Sequence, residues 1–277
     1  MKHFPLVLKI KAMKKGMIFF LSAMVLFLAA CGSGEPRETK EEDKNKNKQS
    51  AYKNESDFES RMAAIDQNDK LSIANSLQYR DNAGSTEEVS AYLDGNQNIL
   101  KLEEEFSDAK TQNFGKLTFY LENGKKFASR EVYQENRLEK PIFIERITYF
   151  DKSEKPVYSK MRQATYEIDL ETLPFETTKA QNVSASRAMR VLNQEDEFET
   201  TFQGLATDGT LQFIIVGENT ADGFAASLAV QHTEGDIKKL FKDEAGMIGT
   251  PLEIQYERMI DQTGLEFQVL LSAKIKK

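Results

Sequence analysis

Between about residue 87 and residue 178 the hydrophobic pattern has a period of two, and this constrains the fold more than any other feature. Leu117, Phe119 and Leu121 alternate with Lys116, Thr118, Tyr120 and Glu122, and Leu100, Leu102 and Phe106 alternate with Lys101, Glu103 and Glu105. Successive side chains of an extended strand point to opposite faces, so the alternation predicts half-buried antiparallel strands. Turn residues punctuate them at intervals. Tyr92-Leu93-Asp94-Gly95-Asn96, Tyr120-Leu121-Glu122-Asn123-Gly124-Lys125 and Tyr149-Phe150-Asp151-Lys152-Ser153-Glu154-Lys155 lie 28 and 29 residues apart. Asn123-Gly124 is a strong two-residue hairpin turn, because both positions tolerate positive φ. Such spacing holds two strands with their connections and predicts a meander of three hairpins.

The repeats resemble the tyrosine-and-glycine hairpin repeats of many secreted bacterial proteins. Their recurring acids, Asp94, Glu122 and Asp151, invite a metal or carbohydrate reading. Acids beside turns also accept local backbone hydrogen bonds, which is the structural reading taken here. Upstream, Ser56-Asp57-Phe58-Glu59 reads as a capping box. It leads into an amphipathic helix over about 57–67 with Phe58, Met62 and Ile65 on one face, resuming through Leu71, Ala74 and Leu77.

Beyond residue 178 a helix over Ala185–Leu192, capped by Ser184, is expected to link two domains within 179–196. Strands then follow through Phe198, Thr200 and Phe202, through Leu211, Phe213 and Ile215, and through Phe224, Ala226, Leu228 and Val230. Ile237, Leu240 and Phe241 give one helical face, ended by Gly246 or Gly249. Two more strands, Leu252-Ile254-Tyr256 and Phe267-Val269-Leu271-Ala273, join through Asp261-Gln262-Thr263-Gly264. The order β-β-β-α-β-β, with the Gly249-Thr250-Pro251-Leu252 lead-in, resembles the OB-fold barrel over roughly 197–275. Many such barrels bind nucleic acid, but residues 195–277 carry fifteen acids against seven Lys and Arg. That balance repels phosphate and excludes nucleic acid as a partner.

The amino-terminal stretch bears on location. Met13-Lys14-Lys15 precedes an apolar run from Gly16 to Leu28, followed by Ala29-Ala30-Cys31. About 20 apolar residues are needed to span a bilayer, and this run is shorter. It resembles the signal peptide and lipobox of bacterial lipoproteins, with translation starting at Met13. The resemblance implies removal of residues 1–30 by cleavage between Ala30 and Cys31, with fatty acids, palmitate among them, placed on Cys31. Cys31 is the single cysteine, so it has neither a disulfide partner nor a Cys-pair metal site. The whole chain has a net charge of −7, and the removed segment carries five lysines and no acid, so the mature chain is more acidic still. Residues 32–50 contain no apolar side chain and balance five acids against five bases, the composition of a disordered tether. Glu41-Glu42-Asp43 looks like an outer-membrane sorting mark in some Gram-negative groups, although an ordinary solvated linker also accounts for it.

The expectation is thus a mainly β protein with minor α. It comprises a signal peptide (1–30), a lipidated cysteine and tether (31–52), a helix plus antiparallel hairpin-repeat domain (53–178), a linker helix (179–196) and a five-stranded OB-like barrel (197–277). Catalytic motifs are missing. His232 is the single histidine after Cys31, G-x-S-x-G and H-E-x-x-H do not occur, and Asp66-Gln67-Asn68-Asp69-Lys70-Leu71 starts like a calcium loop but lacks its later ligand and glycine. Abundant acids leave a paired-carboxylate hydrolase open, without the Trp platforms usual at sugar-cleaving sites. The leading expectation is a non-enzymatic envelope lipoprotein. It would have no cofactor, be held to a membrane through Cys31, and bind an envelope protein or small apolar ligand through residues the sequence does not name. The alternative is a lipid or lipoprotein carrier, in which the helix bearing Phe58, Met62 and Ile65 covers an acyl-chain site on the sheet.

Overall fold

The computed structural model describes residues 54–137, 140–220, 222–260 and 264–276. The fold is mainly β: among the described residues fourteen strands join one mixed sheet, with few helices. Helix α1 (Glu55–Asp66) comes first, then short strands β1 (Ser72–Asn75) and β2 (Tyr79–Arg80), then β3 (Thr86–Leu93). An antiparallel meander follows: β4 (Ile99–Asp108), β5 (Asn113–Glu122), β6 (Lys125–Asn136), β7 (Pro141–Phe150), β8 (Pro156–Ala164) and β9 (Glu176–Thr178).

The three tyrosine-bearing turns sit at the tips of the β3–β4, β5–β6 and β7–β8 hairpins, and they share one irregularity. The pairing register slips just after each tyrosine, between Tyr92/Leu93, Tyr120/Leu121 and Tyr149/Phe150. One residue on the returning strand (Leu100, Phe127 or Val157) is thereby left out of the ladder, a β-bulge at the same place in each repeat. The sequence repeat encodes this geometry. Each tyrosine faces one side of the sheet, while Leu93, Leu121 and Phe150 face the other.

Both sides are covered near the tips. Thr118 and Tyr120, expected to face solvent, are buried. On their side α1 lies across the sheet, with Phe58 and Met62 in a cluster with Tyr120, Phe127, Ile147 and Tyr149. Burying an aromatic or aliphatic side chain of this kind contributes roughly 1.5–3 kcal/mol. The larger cluster on the opposite side runs from Leu77, Val89, Leu102 and Phe119 into residues after 185. Val183, Ala185, Met189 and Leu192 pack against the same cluster. Helix α2 (Ser186–Asn193) places Ala188 and Val191 in it.

The remaining strands are β10 (Thr201–Asp208), β11 (Leu211–Gly217), β12 (Ala225–Val230), β13 (Leu252–Ile260) and β14 (Glu266–Ile275), with α3 (Gly235–Lys242) and α4 (Glu244–Met247) between β12 and β13. β10, β11 and β12 form an antiparallel meander, β12 runs parallel to β14, and β14 pairs antiparallel with β13. The start of β13 returns to β10 through Thr201 and Pro251, with Phe202 N–H donating to Thr250 O at 2.8 Å. β12 also pairs with β2 at Ala225 and Arg80, which continues the ladder into the meander.

Several local expectations change. Asn54, not Ser56, is the N-cap of α1, and its side chain makes no capping bond. Glu59 does not reach back, because both Glu55 and Glu59 accept hydrogen bonds from Lys160 of β8. The helix does not resume through Leu71, Ala74 and Leu77. Residues 72–75 pair with β3 instead, since so short a helical segment cannot offset its nucleation cost when a strand edge offers partners. Ser184 accepts from Ser186 N–H at 3.2 Å, but Ala185 is the N-cap of α2. Phe198 lies in a 3-10 turn, not a strand, and packs edge-on to Tyr79. Leu271 is 54% exposed, because the register slip opposite Gln255/Tyr256 leaves it outside the ladder and turns Leu270 inward. Asp261, Gln262 and Thr263 of the expected β13–β14 turn lie outside the described residues.

Candidate functional site

The side of the sheet that carries α1 continues, beyond the helix, into an open groove of about 1220 Å³. Strand register builds its floor in rows. Tyr92, Lys101, Tyr120, Ala128, Tyr149 and Tyr158 stand opposite one another across β3 to β8 and mark the edge under α1. The next row holds Ser90, Glu103, Thr118, Arg130, Ile147 and Lys160. The third holds Glu88, Glu105, Lys116, Val132, Glu145 and Arg162. The fourth brings Phe114, Gln134 and Phe143 side by side. Asp66 at the end of α1, Glu167 after β8, and Arg80 with Ala225 and Ser227 on the β12 side also line it, as do Thr86 and Glu87 of β3.

The charges at the middle of the floor are paired with one another. Lys101 Nζ is 3.1 Å from both Asp66 and Glu103 and sits 4.0 Å above the Tyr92 ring. Tyr92 donates to Glu103 at 2.8 Å, and Tyr120 donates to Asp66 at 2.8 Å. Lys116 pairs with Glu105 at 2.7 Å and Glu103 at 3.6 Å. Buried Glu145 is clamped between Arg130 and Arg162. Burial pushes the Glu103 carboxyl up, but the Tyr92 hydroxyl and the Lys101 and Lys116 ammoniums outweigh it and hold Glu103 below the ordinary carboxylate range. Desolvation, reinforced by the neighbouring carboxylates, pushes the Tyr92 and Tyr120 hydroxyls up, so both are donors and not nucleophiles at neutral pH. At the far end polarity falls, and Phe114, 45% exposed, meets Phe143 edge-on at 6.5 Å.

A second polar cluster lies on the opposite side of the sheet, under α2. Glu87 and Glu104 are 2% and 3% exposed as side chains, and Arg187 approaches them at 2.9 and 3.6 Å. Glu87 Oε1 and Glu104 Oε2 have no hydrogen-bond partner among the described residues. Burial, reinforced by the adjacent Glu87, pushes the Glu104 carboxyl up to about 8 against the partial offset of Arg187 and Arg190. Glu104 is therefore a proton-holding carboxyl, and the sheet separates it from the groove.

Asp94 Oδ1 accepts from the N–H groups of Asn96 and Asn98, and Asp151 Oδ1 from those of Ser153 and Lys155, so these turn acids close their own loops. Glu122 pairs with Arg61 at 3.0 Å. His232 is exposed just past β12. Asp66, read in sequence as the start of a calcium-like loop, belongs to the groove. Among the described residues no group of three His, Cys, Asp or Glu side chains is placed to hold a metal, and no helix is long and apolar enough to cross a membrane. Ala30 and Cys31 lie outside the described residues. Helix α1 packs directly on the sheet, with Phe58 stacked on Tyr149 at 4.8 Å.

The groove residues went unrecognised in sequence because Glu103, Glu105 and Lys116 look like an ordinary solvated strand face. Their one signal was the adjacency of Tyr92 and Tyr120 to the repeated turns. Comparison with protein-family models, curated proteins and solved structures finds no match.

Proposed function

We propose that this chain is a lipid-anchored envelope lipoprotein that acts without catalysis, presenting the groove beside α1 as its binding surface. Cys31 is the acyl-bearing residue in this reading, cut from Ala30, and residues 32–50 let the folded part reach away from the membrane. The observation that carries the binding role is the groove itself: a wide concavity whose polar floor is fixed by strand register and closed at one edge by α1. Sheet-borne side chains of this kind are held in place before a ligand arrives, which lowers the ordering cost of binding.

We read the C-terminal strands as an OB-type barrel. The meander β10–β11–β12, the parallel β12–β14 pair and the return of β13 to β10 support this, as does the helical segment before β13. The non-catalytic role is supported by the position of Glu104, the carboxyl raised most among the described residues, which does not line the groove. A carboxylate-pair hydrolase needs its acid and base flanking one bond. The direct stacking of α1 on Tyr149 and Phe127 favours the open groove over the helix–sheet seam as the ligand site.

Photo-crosslinking in intact cells tests the binding role. A crosslinking residue at Gln134 or Lys116 should trap a specific envelope component, whereas one at Leu211, on the β10–β11 hairpin, should not. Identical products from all three positions, or none from Gln134 and Lys116, would contradict it.

A further inference from the structure

We propose that the groove takes a neutral polyhydroxylated chain, an oligosaccharide, laid from the Tyr92–Glu103–Lys116 cluster to the Phe114–Phe143 pair. This rests on the reading of the groove as the binding surface and names its ligand class. Three features converge on it.

Charge comes first. The ionic groups at the middle of the floor are held by opposite ones, Lys116 by Glu105 and Glu103, Lys101 by Asp66 and Glu103, Arg130 by Glu145, while Arg80 and Glu167 at the rim have no ion pair among the described residues. An ionic ligand seated between the Tyr92–Glu103–Lys116 cluster and Phe114 would have to displace one of these pairs and leave its partner uncompensated. A hydroxyl behaves differently. It can accept from an ammonium and donate to a carboxylate at once, bridging Lys116 and Glu103 (3.6 Å apart) from the open side of the groove without separating them.

The apolar end is second. Phe114 exposes its ring, braced edge-on by Phe143, at the end of a row whose other groove member is Gln134. A sugar ring has one face of C–H groups, and stacking that face on an exposed aromatic ring removes apolar surface from water while its hydroxyls stay at the rim.

Size and backbone are third. At about 1220 Å³ the groove exceeds the roughly 300–1,000 Å³ typical of pockets for drug-sized ligands, which suits several linked rings. An extended peptide would recognise a strand edge through its backbone, but this surface is a sheet face whose N–H and C=O groups already serve the β3–β8 ladders.

Isothermal titration of the detergent-solubilised full chain with cellohexaose, chitohexaose and maltohexaose tests the assignment, with hexagalacturonate and a neutral hexapeptide alongside. At least one neutral hexasaccharide should bind, and bind better than hexagalacturonate or the peptide. Phe114→Ala and Glu103→Gln should each weaken that binding by about tenfold or more, while Leu211→Ala leaves it unchanged. Circular dichroism confirms folding of each variant. Silence with all three neutral sugars at millimolar concentration, preference for hexagalacturonate or the peptide, or binding undiminished in both groove variants would overturn the assignment. If groove positions still crosslink in cells, the binding surface stands and only its ligand class fails.

Discussion

The Tyr120 hydroxyl donates to Asp66 at 2.8 Å, tying the last residue of α1 to the second tyrosine of the hairpin repeat. The bond marks the boundary between the packed half of this sheet face, under Phe58 and Met62, and its open half, the groove. Tyr120→Phe removes the hydroxyl and leaves Asp66 with Lys101. The expected cost is about 1 kcal/mol in urea unfolding, the net worth of one hydrogen bond to a charged acceptor at a partly exposed site. A loss several times larger would mean that Tyr120 holds α1 by more than this contact.

The Glu87–Glu104 pair predicts a pH dependence of opposite sign to the usual carboxylate effect. The folded-state pKa of Glu104 is raised from an ordinary 4.5 to about 8 by burial and by Glu87. Between those values the native state therefore holds a proton that the unfolded state has released. The contribution is fully present below about pH 4.5 and falls as pH rises through about 8. Glu104→Gln keeps the neutral shape, so it should be more stable than the parent at pH 8.5 and should flatten the decline between pH 5 and 8 in urea titrations at fixed temperature. An unchanged slope would contradict the protonated assignment.

Gly124 has φ +73° and Asn123 has φ +52°, the left-handed pair that a two-residue hairpin turn requires. A Cβ at Gly124 meets no neighbouring atom, so Gly124→Ala isolates the conformational penalty. It should destabilise by about 1 kcal/mol. Thermal unfolding of the variant, compared with Gly95→Ala at a glycine outside the left-handed region, measures it.

How far the fold could be read ahead follows from which signals are local. Asn123-Gly124 and the period-two runs depend on neighbouring residues alone, and they marked the strands and the turn. The bulge after Tyr92, Tyr120 and Tyr149 was invisible, because one skipped residue changes which face a side chain takes without changing composition; Leu271 was misassigned for the same reason. Ser56 had the right neighbours for a capping box, but Lys160, over a hundred residues away, claims Glu59. The groove was illegible for a related reason. Glu103 and Lys116 acquire meaning from partners on other strands, and only the long-range register brings Asp66, Tyr120 and Lys101 together.

The most direct test of the central claim is the behaviour of Cys31→Ser in fractionated cells grown with a labelled fatty acid. Each buried methylene of an acyl chain adds about 0.8 kcal/mol of membrane affinity, and stable anchoring needs more than one chain. The parent chain should therefore carry label and remain in the membrane fraction after a high-salt wash. Cys31→Ser should lose the label and either keep residues 1–30 or leave the parent's fraction, with residues 54–276 folded as before. A Cys31→Ser chain that is cleaved, labelled and retained at the membrane like the parent would contradict the lipoprotein assignment.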